Sequence, residues 1–156
     1  WKINPAADDP EKVKDVTYAE AIDNAKLSGA TIDFDDDSYN LHYSYEQHVA
    51  GGKEASVRHE VWFIDAATTF NILRFADEYG LAGTALWRLG SEDPRIWSFY
   101  NLPLDNESIS SRPFNYDALK TVPINPNQRP TPVGEGELLS IMFLPQEGKI
   151  GNPGAP

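Results

Sequence analysis

Apolar positions recur with the period of an α-helix in two parts of the chain, 18–28 and 66–79. Both segments are bounded by residues that start or stop helices, so we predict a helix over each. The boundary residues are Thr17 and Glu20, which form a capping box, Gly29 after the first helix, Asp65 as the cap of the second, and Gly80 after it. The apolar stripe of the second helix is Ala66, Phe70, Leu73 and Ala76.

Three short segments alternate between apolar and polar residues, as β-strands do. They cover 31–35, 39–45 and 59–65, and a Gly-Gly pair at 51–52 marks a turn before the third. Leu41, Tyr43 and Tyr45 fall on one face of the middle strand. The pattern predicts a small antiparallel sheet covered by the first helix.

The segment 81–89 is nearly continuous in apolar residues, which predicts a strand covered on both faces. A helix followed by such a strand is one unit of a parallel α/β structure, and these units place functional side chains at the ends of strands. Trp87 stands at that position. By position alone it fits either core packing or an apolar floor for a sugar. Residues 91–94, Ser-Glu-Asp-Pro, then predict a helix start.

The last third of the chain has a different pattern. Residues 101–156 contain many prolines and few periodic apolar positions, so we predict an extended arm with one strand at 137–144 and a loose tail from 148. The predicted organisation is a connecting loop at 1–16, an α+β subdomain at 17–65, a helix–strand–helix unit at 66–100 and the arm at 101–156.

The charge of the chain narrows the classes of partner. A formal net charge of -11 argues against nucleic acid and against an anionic membrane surface, since both are bound through basic faces. Neutral glycans remain compatible, and four Trp with seven Tyr offer stacking surface for sugar rings. The chain starts on Trp1 without a signal-peptide pattern, so we expect a piece of a longer protein.

Few side chains are spaced for catalysis or metal binding. The chain has no cysteine, and its three histidines form no ligand pair, so we expect no metal and no cofactor. The acidic run at 33–37 lacks the glycine and final glutamate of a calcium loop and is interpreted as a solvated strand end and turn. Glycoside hydrolysis needs carboxyl groups, and the candidates are Asp65, Glu92 and Asp93. Asp65 and Asp93 are better explained as helix-start residues.

About half of the chain, from Thr17 to Phe99, resembles the C-terminal part of a glycoside hydrolase family 18 (chitinase-like) module of the spore-germination type. Bacterial proteins fuse such modules to a polysaccharide deacetylase and a family 2 glycosyltransferase, and residues 134–139 resemble, more weakly, the connector toward the deacetylase. The motifs that carry the resemblance are YAEA at 18–21, YSY at 43–45, HEVWFIDA at 59–66, YGLAGTALWRLG at 79–90 and EDPRIW at 92–97.

The resemblance implies a fragment of a (β/α)8 barrel, or TIM barrel. Residues 12–65 would be its α+β insertion, 66–79 its last helix before strand eight, and 81–89 strand eight. Trp87 would floor the central sugar subsite, and Tyr43 and Tyr45 would line the cleft wall.

The catalytic acid of that family ends an Asp-x-x-Asp-x-Asp-x-Glu motif. The one superficial candidate begins at Asp33 and has Asn40 in place of the glutamate. The resemblance therefore implies a chain that binds polysaccharide or N-acetylglucosamine oligomers and is inactive alone, within a parent that hydrolyses O-glycosyl bonds outside the cytoplasm or at the cell envelope. The alternative is a non-catalytic glycan-binding or domain-docking scaffold. A lone eighth strand would expose apolar edges, so we expect a homodimer, the rest of the parent polypeptide, or the segment 137–144 to cover them.

Overall fold

The computed structural model describes residues 2–3, 13–48, 56–112, 115–122, 137–138 and 140–144. This part of the chain has an α+β fold that combines short helices with a small antiparallel sheet. The strands are β1 Lys2–Ile3, β2 Asp33–Asp35, β3 Asn40–His48, β4 Ser56–Phe63, β5 Thr121–Val122 and β6 Glu137–Leu138. The helices are α1 Tyr18–Ser28, α2 Ala66–Glu78, a 3-10 helix Pro94–Ser98, α3 Asn106–Ser111 and α4 Tyr116–Lys120.

Helix α1 begins and ends as predicted. The Thr17 hydroxyl accepts a hydrogen bond from the Glu20 N–H at 3.1 Å, while the Thr17 N–H donates to the Glu20 carboxylate at 2.8 Å. Gly29 has a φ of 72°, a left-handed conformation that costs glycine little, and its N–H donates to the Ala25 carbonyl. The capping box predicted from sequence is confirmed.

The main sheet has the strand order β1-β4-β3-β2, with every pair antiparallel. Its inner face packs against α1, and the first core contains Ala21, Ala25, Ile32, Leu41, Tyr43, Val61 and Phe63. The predicted alternation of β3 is confirmed, since Leu41 and Tyr43 are buried on the helix-facing side. The predicted loop at 1–16 is wrong at Lys2–Ile3, which pairs with β4; residues 4–12 lie outside the described residues.

A second core forms around α2 and contains Ala66, Phe70, Ile96, Phe99, Leu104, Ile109 and Leu119. Asp65 caps α2 by accepting the Thr68 N–H at 2.8 Å, as the sequence predicted. The predicted extended arm is wrong for 101–112 and 115–122. Residues 106–111 and 116–120 within them form α3 and α4, because Leu104, Ile109 and Leu119 are buried in the second core beside α2 and the 3-10 helix.

The predicted strand at 81–89 is wrong. The segment has irregular backbone, and most of its side chains, Leu81 and Leu89 among them, are exposed. A strand requires a neighbour to receive its backbone hydrogen bonds. No described strand pairs with this segment, so its apolar composition does not produce β-structure.

The predicted strand at 137–144 is confirmed only at Glu137–Leu138, which pairs with Thr121–Val122 and not with 81–89. Residues 140–144 instead follow α2 and bond to its polar side chains. The Asn71 amide donates to the Ile141 carbonyl at 2.7 Å and accepts the Phe143 N–H at 2.8 Å. The Asn71 side chain thus satisfies backbone groups of this segment that would otherwise bond to a neighbouring strand. The predicted loose tail from 148 lies outside the described residues.

Candidate functional site

Trp87 lies in the irregular segment 81–92, which connects α2 to the 3-10 helix. The path of the segment depends on Gly83 and Gly90, whose φ values of +154° and +89° are rare for residues with side chains. The peptide bond between Trp87 and Arg88 is cis. The Trp87 side chain is 91 % exposed, so core packing, one of its two sequence interpretations, is wrong. The indole is therefore available for contact with a ligand.

Two clefts adjoin Trp87. The larger, of about 470 Å³, lies between the end of β4, α2 and residues 84–88. The smaller, of about 260 Å³, lies between residues 13–16 and β4. Small-molecule sites commonly occupy roughly 300–1,000 Å³, so the larger cleft falls within this range and the smaller lies just below it.

Trp62 borders both clefts together with Trp87. It lies on β4 between Val61 and Phe63, which point into the first core, and it is 41 % exposed on the opposite face of the sheet. Its ring stacks on His42 across β3 and β4, with centroids 4.6 Å apart and an interplanar angle of 16°. Sequence reasoning missed Trp62, although the period-two pattern of β4 already placed it outside the core.

Tyr43 and Tyr45 do not join Trp87. Tyr43 is only 2 % exposed, and its hydroxyl donates to the Ala21 carbonyl of α1 at 2.7 Å. Tyr45 is partly buried beside it and stacks on His59. Neither ring lines the two clefts. The expectation that these tyrosines form a cleft wall is wrong for Tyr43, because the helix-facing side of β3 is covered by α1.

Asp93 is buried where the two cores meet. It accepts the Ala66 N–H at 3.0 Å and the Arg95 N–H at 3.0 Å, and it forms an ion pair with the Arg95 guanidinium. Arg95 also donates to the carbonyls of Ala118 and Thr121. The helix-start interpretation of Asp93 is confirmed. This network joins the start of α2, the 3-10 helix and the end of α4.

Asp65 is fully buried, and it also accepts a hydrogen bond from the Ser140 hydroxyl. Burial raises the pKa of Asp65 above its ordinary value. The carboxyl holds the N-terminus of α2 and attaches the 140–144 segment to it. Its described contacts are therefore structural, in agreement with the cap predicted from sequence.

Glu92 lines the larger cleft and is the most accessible of the three candidate carboxylates. It accepts the Gly90 N–H at 2.6 Å and the Trp97 indole N–H at 3.1 Å. Hydrogen bonds from nearby backbone N–H groups, its own first, lower the pKa of Glu92. A carboxylate with a lowered pKa stays ionised at neutral pH, which suits hydrogen-bond acceptance from a ligand and not proton donation.

The acidic run at 33–37 forms a strand end and a turn, as predicted. Asp35 closes the turn by accepting the Ser38 hydroxyl at 2.5 Å and the Ser38 N–H at 2.8 Å. These bonds lower the pKa of Asp35. Within the described ranges, no group of three or more acidic or histidine side chains is placed to hold a metal ion.

Comparisons of the chain with protein-family models, with curated proteins and with solved structures give no match. Among the helices in the described part of the chain, none is long and apolar enough to cross a membrane.

Proposed function

We propose that the chain is part of a glycoside hydrolase family 18-like module and binds an N-acetylglucosamine-containing polysaccharide beside Trp87. The observation that carries the proposal is the exposed indole of Trp87 at the border of two clefts. The motif around Trp87 also supports it, because the resemblance assigns this residue to the sugar floor.

The chemistry of the larger cleft suits a sugar ring. A pyranose presents an apolar face of C–H groups and an edge of hydroxyls, so its site combines an aromatic platform with polar groups at the rim. Apolar side chains of Ile72, Leu73 and Leu86 line the cleft, and the ionised Glu92 supplies an acceptor. The net charge of -11 favours a neutral glycan over a polyanionic one.

On this proposal, residues 17–65 form the insertion of a (β/α)8 barrel and α2 with 81–89 forms its closing unit. The other barrel strands would belong to the parent protein, where they would provide 81–89 with its missing neighbours. The parent would cleave glycosidic bonds by acid catalysis assisted by the substrate's N-acetyl group, with an acid from its own strand four. The present chain would bind without cleaving.

Substitution of Trp87 tests the binding. In calorimetric titrations with N-acetylglucosamine oligomers, we expect Trp87→Ala to weaken affinity at least about tenfold, which corresponds to about 1.4 kcal/mol, because the ring loses its stacking surface. Leu27→Ala is the control for the loss of an exposed apolar side chain: Leu27 is 85 % exposed and borders neither cleft, so the affinity of this variant should remain within about twofold of wild type.

Two results would contradict the proposal. Equal affinities of wild type and Trp87→Ala would remove Trp87 from the site. Turnover of chitin oligomers by the purified chain, retained after rigorous removal of contaminating enzymes, would contradict binding without cleavage.

A docking scaffold within a multidomain polysaccharide-processing protein is the second candidate. It is supported by the exposed face of α2, where Ile72, Phe75 and Tyr79 recur at helical spacing and reach solvent. An apolar helix face of this kind is commonly covered by another polypeptide.

We expect this face to make the isolated chain self-associate. In light scattering, the molecular mass of wild type should rise with concentration toward that of a dimer, and Tyr79→Glu should reduce the association because it places a charge in the apolar contact. A monomer at all accessible concentrations would argue against the scaffold.

A further inference from the structure

The two clefts beside Trp87 have a common wall. The residues that line both are Val16, Trp62, Trp87, Arg88 and Ser91. We call Trp62 and Trp87, with Arg88, the indole ridge. A ligand in either cleft therefore contacts the same two tryptophans, which makes the clefts neighbouring parts of one surface.

Each side of the ridge offers the combination of groups that a sugar ring requires. On the larger side, the exposed Thr84 and the Glu92 carboxylate accompany the apolar floor. On the smaller side, charged Lys14, Asp15 and Glu60 lie at the rim. The indoles supply the apolar wall for both sides, and the polar groups differ between them.

We infer that the indole ridge separates two consecutive sugar subsites, so that the chain binds a neutral oligosaccharide of at least two pyranose rings across Trp62 and Trp87. This inference rests on the proposed function and adds to it the length of ligand recognised and a second platform. Trp62 is the new binding residue.

Trp62 is held in position before any ligand arrives. It belongs to the longest paired region of the sheet, and the stacked His42 ring supports it from the neighbouring strand. A platform fixed in this way loses little side-chain entropy on binding. Trp87 lacks such support, because its segment is irregular.

The charges at the clefts favour a neutral chain. Each cleft is lined by both acidic and basic side chains: the smaller by Lys14 and Arg88 with Asp15 and Glu60, the larger by Arg88 with Glu92 and the ion-paired Asp93. Mixed charges provide hydrogen bonds to hydroxyls without a field that selects ions.

The test compares N-acetylglucosamine with its dimer and tetramer by calorimetry. For wild type we expect the tetramer to bind at least about tenfold more tightly than the monosaccharide, because only the longer ligand fills both subsites. Trp62→Ala should weaken tetramer binding about tenfold, since both subsites lose a wall. Val13→Arg adds bulk to the smaller cleft alone. It should lower the affinity for the tetramer to that for the monosaccharide. Leu27→Arg places the same side chain on a surface that borders neither cleft and should behave as wild type.

The outcomes separate the inference from the proposed function. If Trp87→Ala abolishes binding while Trp62→Ala and Val13→Arg leave it unchanged, the glycan site stands and the two-subsite ridge is wrong. Equal affinity of wild type for monosaccharide and tetramer would likewise contradict the two subsites. If no oligomer binds the wild-type chain, the proposed function fails and the ridge fails with it. Circular dichroism of each variant identifies losses that come from unfolding, and Trp62→Phe, which keeps a ring, should retain more affinity than Trp62→Ala.

Discussion

Asp93→Ala should lower the free energy of unfolding by about 3–5 kcal/mol, a range typical for removing one partner of a buried ion pair. The substitution leaves the Arg95 guanidinium without its carboxylate and the Ala66 N–H without its acceptor. Asp93 itself is almost fully buried, so water cannot easily replace what is lost. Urea denaturation followed by far-UV circular dichroism measures the change.

Asp93→Ala should also change the shape of the two clefts beside Trp87. The Asp93 network fixes the start of α2, and the Tyr18 N–H donates to the Ser91 carbonyl at 2.9 Å next to it. Ser91 lines both clefts, so loosening this junction moves the wall that carries Trp87. We therefore expect Asp93→Ala to weaken the proposed glycan binding even at temperatures where the variant remains folded.

Asp65→Asn is the control at the same junction. An asparagine oxygen still accepts the Thr68 N–H, and its amide group still bonds to Ser140, so stability at pH 7 should stay within about 1 kcal/mol of wild type. If Asp93→Ala costs no more than this control, the network is not the junction that we describe.

The pH dependence of the control has a defined sign. Because burial raises the pKa of Asp65, the folded state keeps this proton over a range in which the unfolded state has lost it. Through Asp65, the free energy of unfolding of the wild-type chain therefore falls as the pH rises from about 4 through the raised pKa. Asp65→Asn should lack this loss, so its stability relative to wild type should increase with pH, as urea titrations at several pH values would measure.

Phe70→Ala should cost about 3–5 kcal/mol, as is typical for removing a fully buried aromatic side chain. The Phe70 ring makes edge contacts with Phe99 at 5.4 Å and Tyr116 at 6.0 Å. Its loss leaves a cavity between α2, the 3-10 helix and α4. Because α4 depends on this contact, protease cleavage within 101–122 should also become faster in the variant.

Phe75→Ala is the matched control on the same helix. Phe75 is 38 % exposed and contacts Phe143 at 5.5 Å without belonging to the second core, so the loss of its ring should cost less, about 1–2 kcal/mol. Equal losses for the two variants, or unchanged proteolysis of 101–122 in Phe70→Ala, would contradict the second core as described.

Features that depend on neighbours in sequence were predictable. The capping box of α1, the Asp65 cap of α2 and the start of the 3-10 helix each involve groups at most four residues apart, so their chemistry is visible in the chain itself. The alternation of β3 was predictable for the same reason, because its period of two follows from strand geometry.

Features that depend on partners far away in the sequence were not predictable. Residues 81–89 have strand composition but adopt irregular backbone, since a strand exists only beside another strand. The few apolar residues of 101–122 gave no periodic signal, yet α2 provides the surface on which they fold. Asn71 offered no sign that it would bond to residues 70 or more positions later along the chain.

The same division applies to the candidate site. The sequence alone determined that Trp87 belongs to a segment interrupted by glycines, and that Trp62 points away from its buried neighbours in β4. Only the tertiary structure decided that these two indoles border the same pair of clefts, while Tyr43 is covered by α1. Local hydrogen bonds and strand alternation act over a few residues and can be inferred from order along the chain. A cleft forms where separate elements approach, and that approach depends on how the two cores pack at Asp93.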